Sequence, residues 1–451
     1  MAANHYRNII KKKRKVMTFN NKLSHTLAYA QQLDKDDPLA HMRDHFSIPK
    51  QPNGDDEYYF TGNSLGLQPT LARECVIEVL DAWQKHGVKG HFEGDYPWLP
   101  YHEFLTEQSA SLIGALPEEV VMMNSLTANL HLMMVSFYQP KGRRTKILIE
   151  EHAFPSDHYA VESQLKHHQQ DVSKNMLLWQ PRPEEELLNH DDLYQLIEQQ
   201  GDEIALILLP GVQYYTGQVL DMKTITEKAH AKGIMVGFDL AHAAGNLVME
   251  LHNWQVDFAC WCSYKYLNSG AGSVAGCFVH QKHATNTNKE TQVNRFSGWW
   301  GHDKSSRFQM ENSFQAIPTA EGWQLSNPPV LSLAAIRGSL DTITLAGGIK
   351  ALRAKSLKLT QYLMVLLKKE LPNSIRIITP QAEHERGCQL SLMVTVDFLD
   401  GKALFHALEK NGVTTDWREP NVIRVAPVPL YNSFEDVFHF VRILKECIHD
   451  H

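Results

Sequence analysis

Features that would mark a secreted, membrane-spanning or nucleic-acid-binding protein are scarce in this chain. It has 6 cysteines in 451 residues and no CxxC pair, which argues against a disulfide framework and a structural zinc site. We therefore expect reduced thiols and a cytoplasmic protein. No apolar run reaches the length of a membrane span and no signal-peptide core is present, so no membrane association is predicted. The net charge of −7 gives no global positive field that would attract nucleic acid.

Basic residues are concentrated in one short run at positions 11–15. Such runs serve as nuclear signals or nucleic-acid arms in some proteins. Since the run lies just before Met17, we interpret residues 1–16 as a disordered extension, with a targeting role as the alternative. The 24 histidines include no HExxH motif and no close ligand spacing, so no metal site is predicted.

The length and the hydrophobic pattern predict an α/β protein of two domains. A chain of 451 residues exceeds one compact core. Near-continuous apolar strands at residues 146–150, 204–209 and 234–239 alternate with helical segments. This pattern is typical of a mostly parallel sheet that is covered by helices on both faces.

The predicted domain boundaries follow a break at two consecutive prolines, Pro328 and Pro329. Residues 58–330 are expected to form the large domain that contains the sheet, and residues 331–451 a smaller α+β domain. Residues 17–57, with an amphipathic helix predicted from residue 23 to residue 33, are expected to pack with the smaller domain.

Several side chains lie where the predicted strands end. Ligands of parallel sheets bind beyond the carboxyl ends of the strands, so these positions should converge in space. They are Leu126 and Thr127, Phe154 and Asp157, residues 210–217, Asp239 and His242, and Tyr264 and Lys265. Thr127 also precedes a helix, whose N-terminus offers free N–H groups to an anion. An ordinary N-cap at Ser125 or Thr127 explains the same pattern equally well.

The stretch around Lys265 carries the clearest chemistry. A buried strand from Val256 runs into this lysine and then into a glycine-rich loop. Lysine is rarely buried, and a desolvated lysine can lose its proton and form a Schiff base; a surface lysine on the loop is the alternative. Asp239 ends the preceding strand and needs a cationic partner if it is buried. A lysine, an acid and an anion-binding helix N-terminus together suit pyridoxal phosphate.

Six longer stretches between Tyr58 and Asp436 match the pattern of one enzyme family. They are residues 62–69, 153–159, 237–243, 257–268, 326–329 and 424–434. Through them the chain resembles the kynureninases, which are fold-type I pyridoxal-phosphate enzymes. The resemblance implies a large cofactor-binding domain with a mostly parallel sheet and a smaller α+β domain.

The resemblance also implies a set of cofactor-binding residues. They are Leu126, Thr127, Phe154, Pro155, Ser156, Asp157, Asp239, His242, Tyr264, Lys265, Trp299 and Asn327. Lys265 would form the Schiff base, Asp239 would pair with the pyridine nitrogen, and Phe154 would stack on the ring. Trp299 and Asn327 would reach the cofactor from a neighbouring subunit, which implies a homodimer. Pro210 stands where some relatives carry a serine, so one hydroxyl contact is expected to be absent.

The reaction implied by the resemblance is the hydrolysis of L-kynurenine, or its 3-hydroxy form, to an anthranilate and L-alanine. The implied substrate-binding residues are Arg424, His91, Ser326, Asn327, Trp300 and Asn63. Arg424 would bind the α-carboxylate, a bidentate task that suits arginine. Tyr264 is expected to relay a proton or only to bind the phosphate. Polar groups at the aryl end lead us to expect that 3-hydroxykynurenine is well accepted.

Other readings of the sequence remain as alternatives. A related fold-type I enzyme, such as a cysteine desulfurase or an aminotransferase, is one. A desulfurase needs a mobile nucleophilic cysteine, and the only loop-end candidate, Cys388, is predicted to be core packing. A non-enzymatic relative is disfavoured by the intact Lys265, Asp239 and Arg424, and a metal hydrolase has no ligand motif.

Overall fold

The computed structural model describes residues 25–285, 293–396 and 400–450. The predicted extension at residues 1–16 and the start of the predicted helix at residue 23 lie outside these ranges.

The strands are β1 (Phe46–Ser47), β2 (Tyr58–Tyr59), β3 (Gln68–Pro69), β4 (Val120–Met122), β5 (Lys146–Glu150), β6 (Met176–Trp179), β7 (Ile204–Pro210), β8 (Met235–Asp239), β9 (Phe258–Trp261), β10 (Gly276–Val279), β11 (Ile375–Ile377), β12 (Leu390–Val394), β13 (Val413–Thr414), β14 (Asp416–Arg418) and β15 (Val422–Val425). The α-helices are α1 (Leu27–Lys35), α2 (Thr70–His86), α3 (Thr106–Ile113), α4 (Leu126–Phe137), α5 (Pro155–His167), α6 (Val172–Asn175), α7 (His190–Gln200), α8 (Met222–Ala231), α9 (Gln281–Ala284), α10 (Val330–Leu345), α11 (Gly348–Glu370), α12 (Gly401–Lys410) and α13 (Phe434–His449).

A seven-stranded sheet dominates the described residues, in the order β4-β10-β9-β8-β7-β5-β6. The strands from β9 to β6 run parallel, whereas β10 runs antiparallel to both β9 and β4. The predicted α/β class with a mostly parallel sheet is therefore confirmed. The direction of β10 was not predicted; the glycine-rich loop before it lets the chain turn back beside β9 without a crossover helix.

Both faces of this sheet are covered, as its uniformly apolar strands require. In β5, Leu148 packs in the cluster on one face, while Ile147 and Ile149 pack in the cluster on the other. In β9, Trp261 and Phe258 divide between the two clusters in the same way. Each fully buried side chain of this kind contributes about 1.5–3 kcal/mol relative to exposure, so the sheet forms a rigid base for the strand ends.

The register between β8 and β9 depends on Gly237. Phe258 lies opposite this glycine, and a Cβ atom there would come within 2.0 Å of the phenylalanine ring. Glycine therefore lets the two strands pair closely at this point. The same register sets Asp239 opposite Cys260, so that both strands end at the same edge of the sheet.

A second sheet is antiparallel, with the order β11-β12-β15-β14. The sequence also predicts strands at residues 375–378, 390–396 and 422–425, and all three are present with small shifts at their ends. β14 was not predicted, because its three residues are half-buried and show no apolar alternation. An apolar cluster that includes Leu363 of α11 and Phe440 of α13 packs against this sheet.

The N-terminal segment packs on the C-terminal part of the chain. β2 pairs with β13, and Asp34 accepts hydrogen bonds from the N–H groups of Phe434 and Glu435 at the start of α13. Arg43 Nη1 donates to Asp436 Oδ2 over 2.7 Å. These contacts support the predicted packing of the N-terminal segment with the smaller domain, whose boundaries remain a prediction.

α10 and α11 meet at a bend of 69°. The sequence predicts a long helical stretch with an interruption near Gly347 and Gly348. Gly347 adopts a φ of 82° at the bend, so this interruption is confirmed. Both helices bury core side chains, among them Leu340 and Leu363. Within the described ranges no single helix is long and apolar enough to cross a membrane, although this bent pair meets the same criteria when its helices are combined.

Candidate active site

A cavity of about 450 Å³ lies where the strand ends of the large sheet face β14 and β15. The predicted residues that line it are Asn63, Leu126, Thr127, Phe154, Ser156, Asp157, Asp239, His242, Tyr264, Lys265 and Arg424. Pro210 lines it as well, and its side chain offers no hydroxyl group. The strand ends that the sequence singled out therefore meet around one cavity.

Lys265 lies in the loop after β9 and is half-buried in the cavity wall. Its Nζ is hydrogen-bonded to His242 Nε2 over 3.0 Å and lies 6.0 Å from the centroid of the Phe154 ring. Burial, and then the charge of Lys265, holds the pKa of His242 well below its usual value. The lysine amine is therefore held by a neutral imidazole and not by a carboxylate.

Two carboxyl groups face each other at the ends of β8 and α5. Asp239 Oδ1 accepts the N–H of Ala241 over 2.7 Å, and Asp157 hydrogen-bonds to Asp239. Burial, and then the negative charge of Asp239, raises the pKa of Asp157 well above its usual value. Burial also raises the pKa of Asp239, against the opposing effects of the Asp157 hydrogen bond and the Lys265 charge. The pKa of Asp157 is raised further than that of Asp239, so Asp239 is the acid of the pair that gives up its proton more readily.

Glu150 is a third acid in the cavity, which the sequence analysis missed. It ends β5 and is buried; its Oε1 lies 3.5 Å from Gln213 Nε2, and its Oε2 has no hydrogen-bond partner in the described part of the chain. Burial, partly opposed by the Gln213 hydrogen bond, raises the pKa of Glu150 to about 8. The signal that could have found it is its position as the last residue of a buried strand, the same position that singled out Asp239.

Two helix N-termini open onto the cavity. The N-cap residues of α4 and α5, Ser125 and Phe154, make no side-chain hydrogen bond to their helices. Thr127 and Ser156, the second residues of these helices, are joined by a 2.7 Å hydrogen bond between their hydroxyl groups. Free N–H groups and two helix dipoles therefore favour an anion at this point. Ser125 does occupy the N-cap position of α4, as the alternative for this stretch held, but its side chain makes no capping hydrogen bond.

Tyr264 lies beside Lys265 in the cavity wall, close to Cys262. Burial, and then the neighbouring Cys262 thiol, raises the pKa of Tyr264 above its usual value. Burial likewise raises the pKa of Cys262 to about 11. Both side chains are neutral near pH 7, so Tyr264 retains a phenolic proton.

The opposite wall carries two arginines that share one acid. Arg424 on β15 is 1% exposed, and its Nε and Nη2 contact Asp416 at 3.1 and 2.7 Å. Its Nη1 donates to the carbonyl oxygen of Tyr214 over 2.8 Å. Arg418 on β14 lines the same cavity and also bonds Asp416. Arg418 and Asp416 were not predicted as site residues, because the strand that carries them was not predicted.

Several predicted site residues do not line this cavity. Trp300 is 1% exposed and its ring lies 4.4 Å from the Arg307 guanidinium, so packing leaves it no surface for a ligand. Trp299, in the same turn, is 42% exposed. The others are exposed Pro155, Ser326 and Asn327, and half-buried His91, which contacts Trp98. Within one chain the structure does not bring these residues to Lys265.

Histidines and glutamates approach one another at two other places, although the sequence shows no ligand spacing. The groups are Glu119, His252 and His280, and His102, Glu103 and Glu321. Glu119 Oε1 lies 2.9 Å from His252 Nδ1, and His102 Nε2 lies 2.9 Å from Glu321 Oε2. These hydrogen bonds account for the proximity of the side chains.

Comparison with known proteins connects this site to one family. The profile of the kynureninase C-terminal domain matches residues 352–444. The kynureninase of Flavobacterium psychrophilum is 50% identical, over 96% of this chain and 99% of its own, and that of Myxococcus xanthus is 51% identical, over 93% and 96%. The kynureninase of Mus musculus is 49% identical, over 93% and 92%. The chain belongs to the kynureninase family. The predicted family and enzyme class are therefore confirmed.

Solved structures share the fold at low sequence identity. The cystine C–S lyase C-DES, with glycine covalently linked to its pyridoxal-phosphate cofactor, has a TM-score of 0.73 at 16% identity, over 90% of this chain and 99% of its own. A cysteine desulfurase from Thermococcus onnurineus has a TM-score of 0.69 at 16% identity, over 93% and 98%. The predicted fold-type I architecture is thus confirmed.

The cysteines agree with membership of the kynureninase family and not with desulfurase chemistry. All six are buried and free of disulfides. Cys388 is 1% exposed, and burial raises its pKa to about 12, the opposite of what a nucleophile needs. It packs in the apolar cluster of the large sheet, as predicted.

The cavity residues fit the pyridoxal phosphate that this family uses. The uncapped ends of α4 and α5 suit its phosphate, and the Asp239 carboxyl group suits its ring nitrogen. Lys265 presents an amine held by a neutral acceptor. The buried atoms Asn63 Oδ1 and His242 Nδ1 have no hydrogen-bond partner among the residues described, so a bound group would satisfy polar atoms that are otherwise unpaired.

The free energy of unfolding of the wild type is expected to fall as the pH rises and Glu150 loses its proton. Glu150→Gln should remove this loss. A glutamate with a pKa of about 8 when folded and 4.5 as its ordinary value binds its proton more tightly in the folded state. The free energy of unfolding of cofactor-free wild-type protein should therefore fall, relative to that of Glu150→Gln, between about pH 5 and pH 8. Urea unfolding at these pH values measures the difference, with Glu151→Gln as the neighbouring control. A difference that stays constant over this range would contradict the assignment.

Proposed function

We propose that this chain hydrolyses the Cβ–Cγ bond of L-kynurenine, or of 3-hydroxy-L-kynurenine, to anthranilate or 3-hydroxyanthranilate and L-alanine. One observation carries the proposal: Lys265, Asp239 and two uncapped helix N-termini line one cavity in a member of the kynureninase family. The reaction is a step of tryptophan breakdown. The six free cysteines support a reducing compartment, the cytoplasm.

Pyridoxal phosphate, when bound, supplies a sink for the negative charge that develops on substrate carbon atoms. Lys265 would hold its aldehyde carbon, Asp239 its ring nitrogen and Phe154 one face of its ring. Thr127 and Ser156 would hold the phosphate through hydroxyl groups and the N–H groups of the helix starts.

Proton movements fall to side chains around the lysine. Lys265, when its amine is free, takes the proton from the substrate Cα. Neutral His242 then accepts a hydrogen bond from the ammonium form of Lys265. Tyr264 keeps its proton because its pKa is raised, so it can donate at the substrate Cβ. Asp157 donates a hydrogen bond to Asp239, which helps Asp239 to stay ionised.

The substrate's amino-acid end meets polar groups from both walls. Arg424 binds the α-carboxylate, since a buried guanidinium with free N–H groups suits that anion. Asn63 donates its Nδ2–H to Gln389 Oε1 over 2.9 Å, which leaves its unpartnered Oδ1 to accept from the substrate amine. Both contacts fix the amino-acid part while the aryl group extends away from it.

A second copy of the chain completes the site. Trp299, Ser326 and Asn327 are exposed and do not line their own cavity, which agrees with a contribution to the neighbour's cavity. Exposed large apolar side chains would be covered in such a homodimer. They are Trp83, Val88, Phe92, Phe296, Phe308 and Met310.

Purified wild-type protein should release fluorescent anthranilate from L-kynurenine. Lys265→Ala should abolish turnover, because both the attachment point and the base are lost. Lys223→Ala, an exposed lysine on α8, is the matched control and should leave turnover unchanged. The absence of anthranilate with wild-type protein would reject the proposed function, and steady-state turnover by Lys265→Ala would reject the role of the lysine.

3-Hydroxykynurenine should be used at least as well as kynurenine. Ser326, Asn327 and His91 offer polar groups to a ring hydroxyl, and a site built to bond a hydroxyl discriminates strongly. The kcat/KM values of the two substrates measure this, and Ser326→Ala should lower the value for the hydroxylated one more. Ser305→Ala serves as the control. A large preference of the wild type for plain kynurenine would contradict the expectation.

Two inactive variants should complement each other if the site is shared. Lys265→Ala changes a residue of the chain's own cavity. Asn327→Ala changes a residue that is proposed to reach the cavity of the neighbouring subunit. A hybrid dimer then holds one site with both changes and one with neither, so random mixing should restore about a quarter of the wild-type activity.

Lys265→Ala mixed with Asp239→Asn is the control, since both residues belong to one cavity and no recovery is expected. An active Asn327→Ala variant, or exchanged dimers that recover no activity in the first mixture, would argue against a shared site.

A further inference from the structure

Two guanidinium groups in the cavity wall share a single carboxylate. Asp416 Oδ1 lies 3.1 Å from Arg424 Nε, and Asp416 Oδ2 lies 2.7 Å from Arg424 Nη2 and 3.2 Å from Arg418 Nη2. The antiparallel register of β14 and β15 pairs Asp416 directly with Arg424. It also sets Arg418 two residues further along the same edge of the sheet.

The charges of this group do not balance. Within the described ranges, each of the two arginines forms an ion pair with Asp416 and with no other acid. Asp416 and Arg424 are almost fully buried, and Arg418 is partly covered. Two cations against one anion leave one positive charge at the cavity wall, where an unpaired charge is costly. An anionic ligand group would compensate it.

The free donors belong mainly to Arg418. Arg424 uses three of the five N–H groups of a guanidinium, two on Asp416 and one on Tyr214. Arg418 uses one, on Asp416. Its Nε is buried without a hydrogen-bond partner among the described residues, and the side chain lines the cavity. Arg418 therefore has more unused capacity to bind an anion than Arg424.

We propose that Arg418 is a second guanidinium for the substrate α-carboxylate, and that Asp416 positions both arginines toward it. The proposal rests on the proposed function, in which the ligand is an α-amino acid. Asp416 holds Arg424 by a two-point contact, so the carboxylate would be bound by the remaining N–H groups of both side chains. Phosphate is a poor candidate for this position, because the uncapped helix ends lie on the opposite wall.

The pairing of Arg424 with Asp416 also makes Arg418 a usable test position. Arg418→Gln leaves that bidentate pair intact with balanced charges, so the variant should fold. Arg418→Lys keeps the charge but loses the planar fork. Arg376→Gln is the matched control, since Arg376 lies on the same small sheet, pairs with Glu186 and does not line the cavity.

Equilibrium binding to the cofactor-loaded protein separates the carboxylate from the rest of the ligand. L-Alanine, the reaction product, carries the carboxylate, and ethylamine lacks it; both are followed by the change in cofactor absorbance. Arg418→Gln should weaken L-alanine binding on the order of 10- to 100-fold, as expected for loss of hydrogen bonds to a charged group. Ethylamine binding should be unchanged, and Arg418→Lys should lie between Arg418→Gln and wild type.

Kinetics with L-kynurenine give an independent readout. Arg418→Gln should raise KM with little change in kcat, because the carboxylate contact is present in ground state and transition state alike. Wild-type affinity of Arg418→Gln for L-alanine, or equal losses for L-alanine and ethylamine, would overturn the role of Arg418. Failure of the wild type to turn over L-kynurenine would instead reject the proposed function, so the two failures are distinguishable.

Discussion

The burial of three acids and a histidine around one lysine is the constraint on which the rest of the site depends. Glu150, Asp157 and Asp239 share one cavity wall, and their mutual repulsion and desolvation would be severe if all were ionised. Burial raises the pKa values of all three acids, that of Asp157 further than that of Asp239, and lowers the pKa of His242, so Asp239 is the readier of the coupled pair to ionise beside the Lys265 amine. One buried carboxylate and one reactive amine are what a pyridine ring with an aldehyde requires.

The fold produces this arrangement through strand register and not through any one loop. Gly237 lets β8 lie against Phe258 of β9, which aligns the ends of the two strands and the residues beyond them. The starts of α4 and α5 follow β4 and β5 at the same edge, so the anion-binding N–H groups come from the same sheet. The second sheet contributes the opposite wall, where Asp416 holds the arginines. In the proposed function, cofactor chemistry and recognition of the substrate carboxylate would therefore fall to different sheets.

Much of this was predictable from the sequence, for definite physical reasons. The apolar sequences of β5, β7 and β8 predicted a parallel sheet. Because the carboxyl ends of parallel strands meet at one edge, Asp239 and Lys265 were predicted to lie close together. The direction of β10 was not predictable, because a glycine-rich loop is compatible with either direction.

The residues that the sequence analysis missed share a different cause. Glu150 has the appearance of an ordinary acid until its burial is known. Arg418 and Asp416 lie on a three-residue edge strand whose polar sequence gives no periodic signal. Trp300 was expected near the aryl group, yet its ring is enclosed beside Arg307, and no local pattern distinguishes it from exposed Trp299.

The attachment of the cofactor to Lys265 is tested most directly by chemical trapping. Borohydride reduction of the cofactor-loaded protein makes the bond between lysine and pyridoxal phosphate permanent, and mass spectrometry of a digest then locates the modified residue. We predict a phosphopyridoxyl group on the peptide that contains Lys265 and on no other lysine. Modification of a different lysine, or no modification of protein that carries the cofactor, would contradict the assignment.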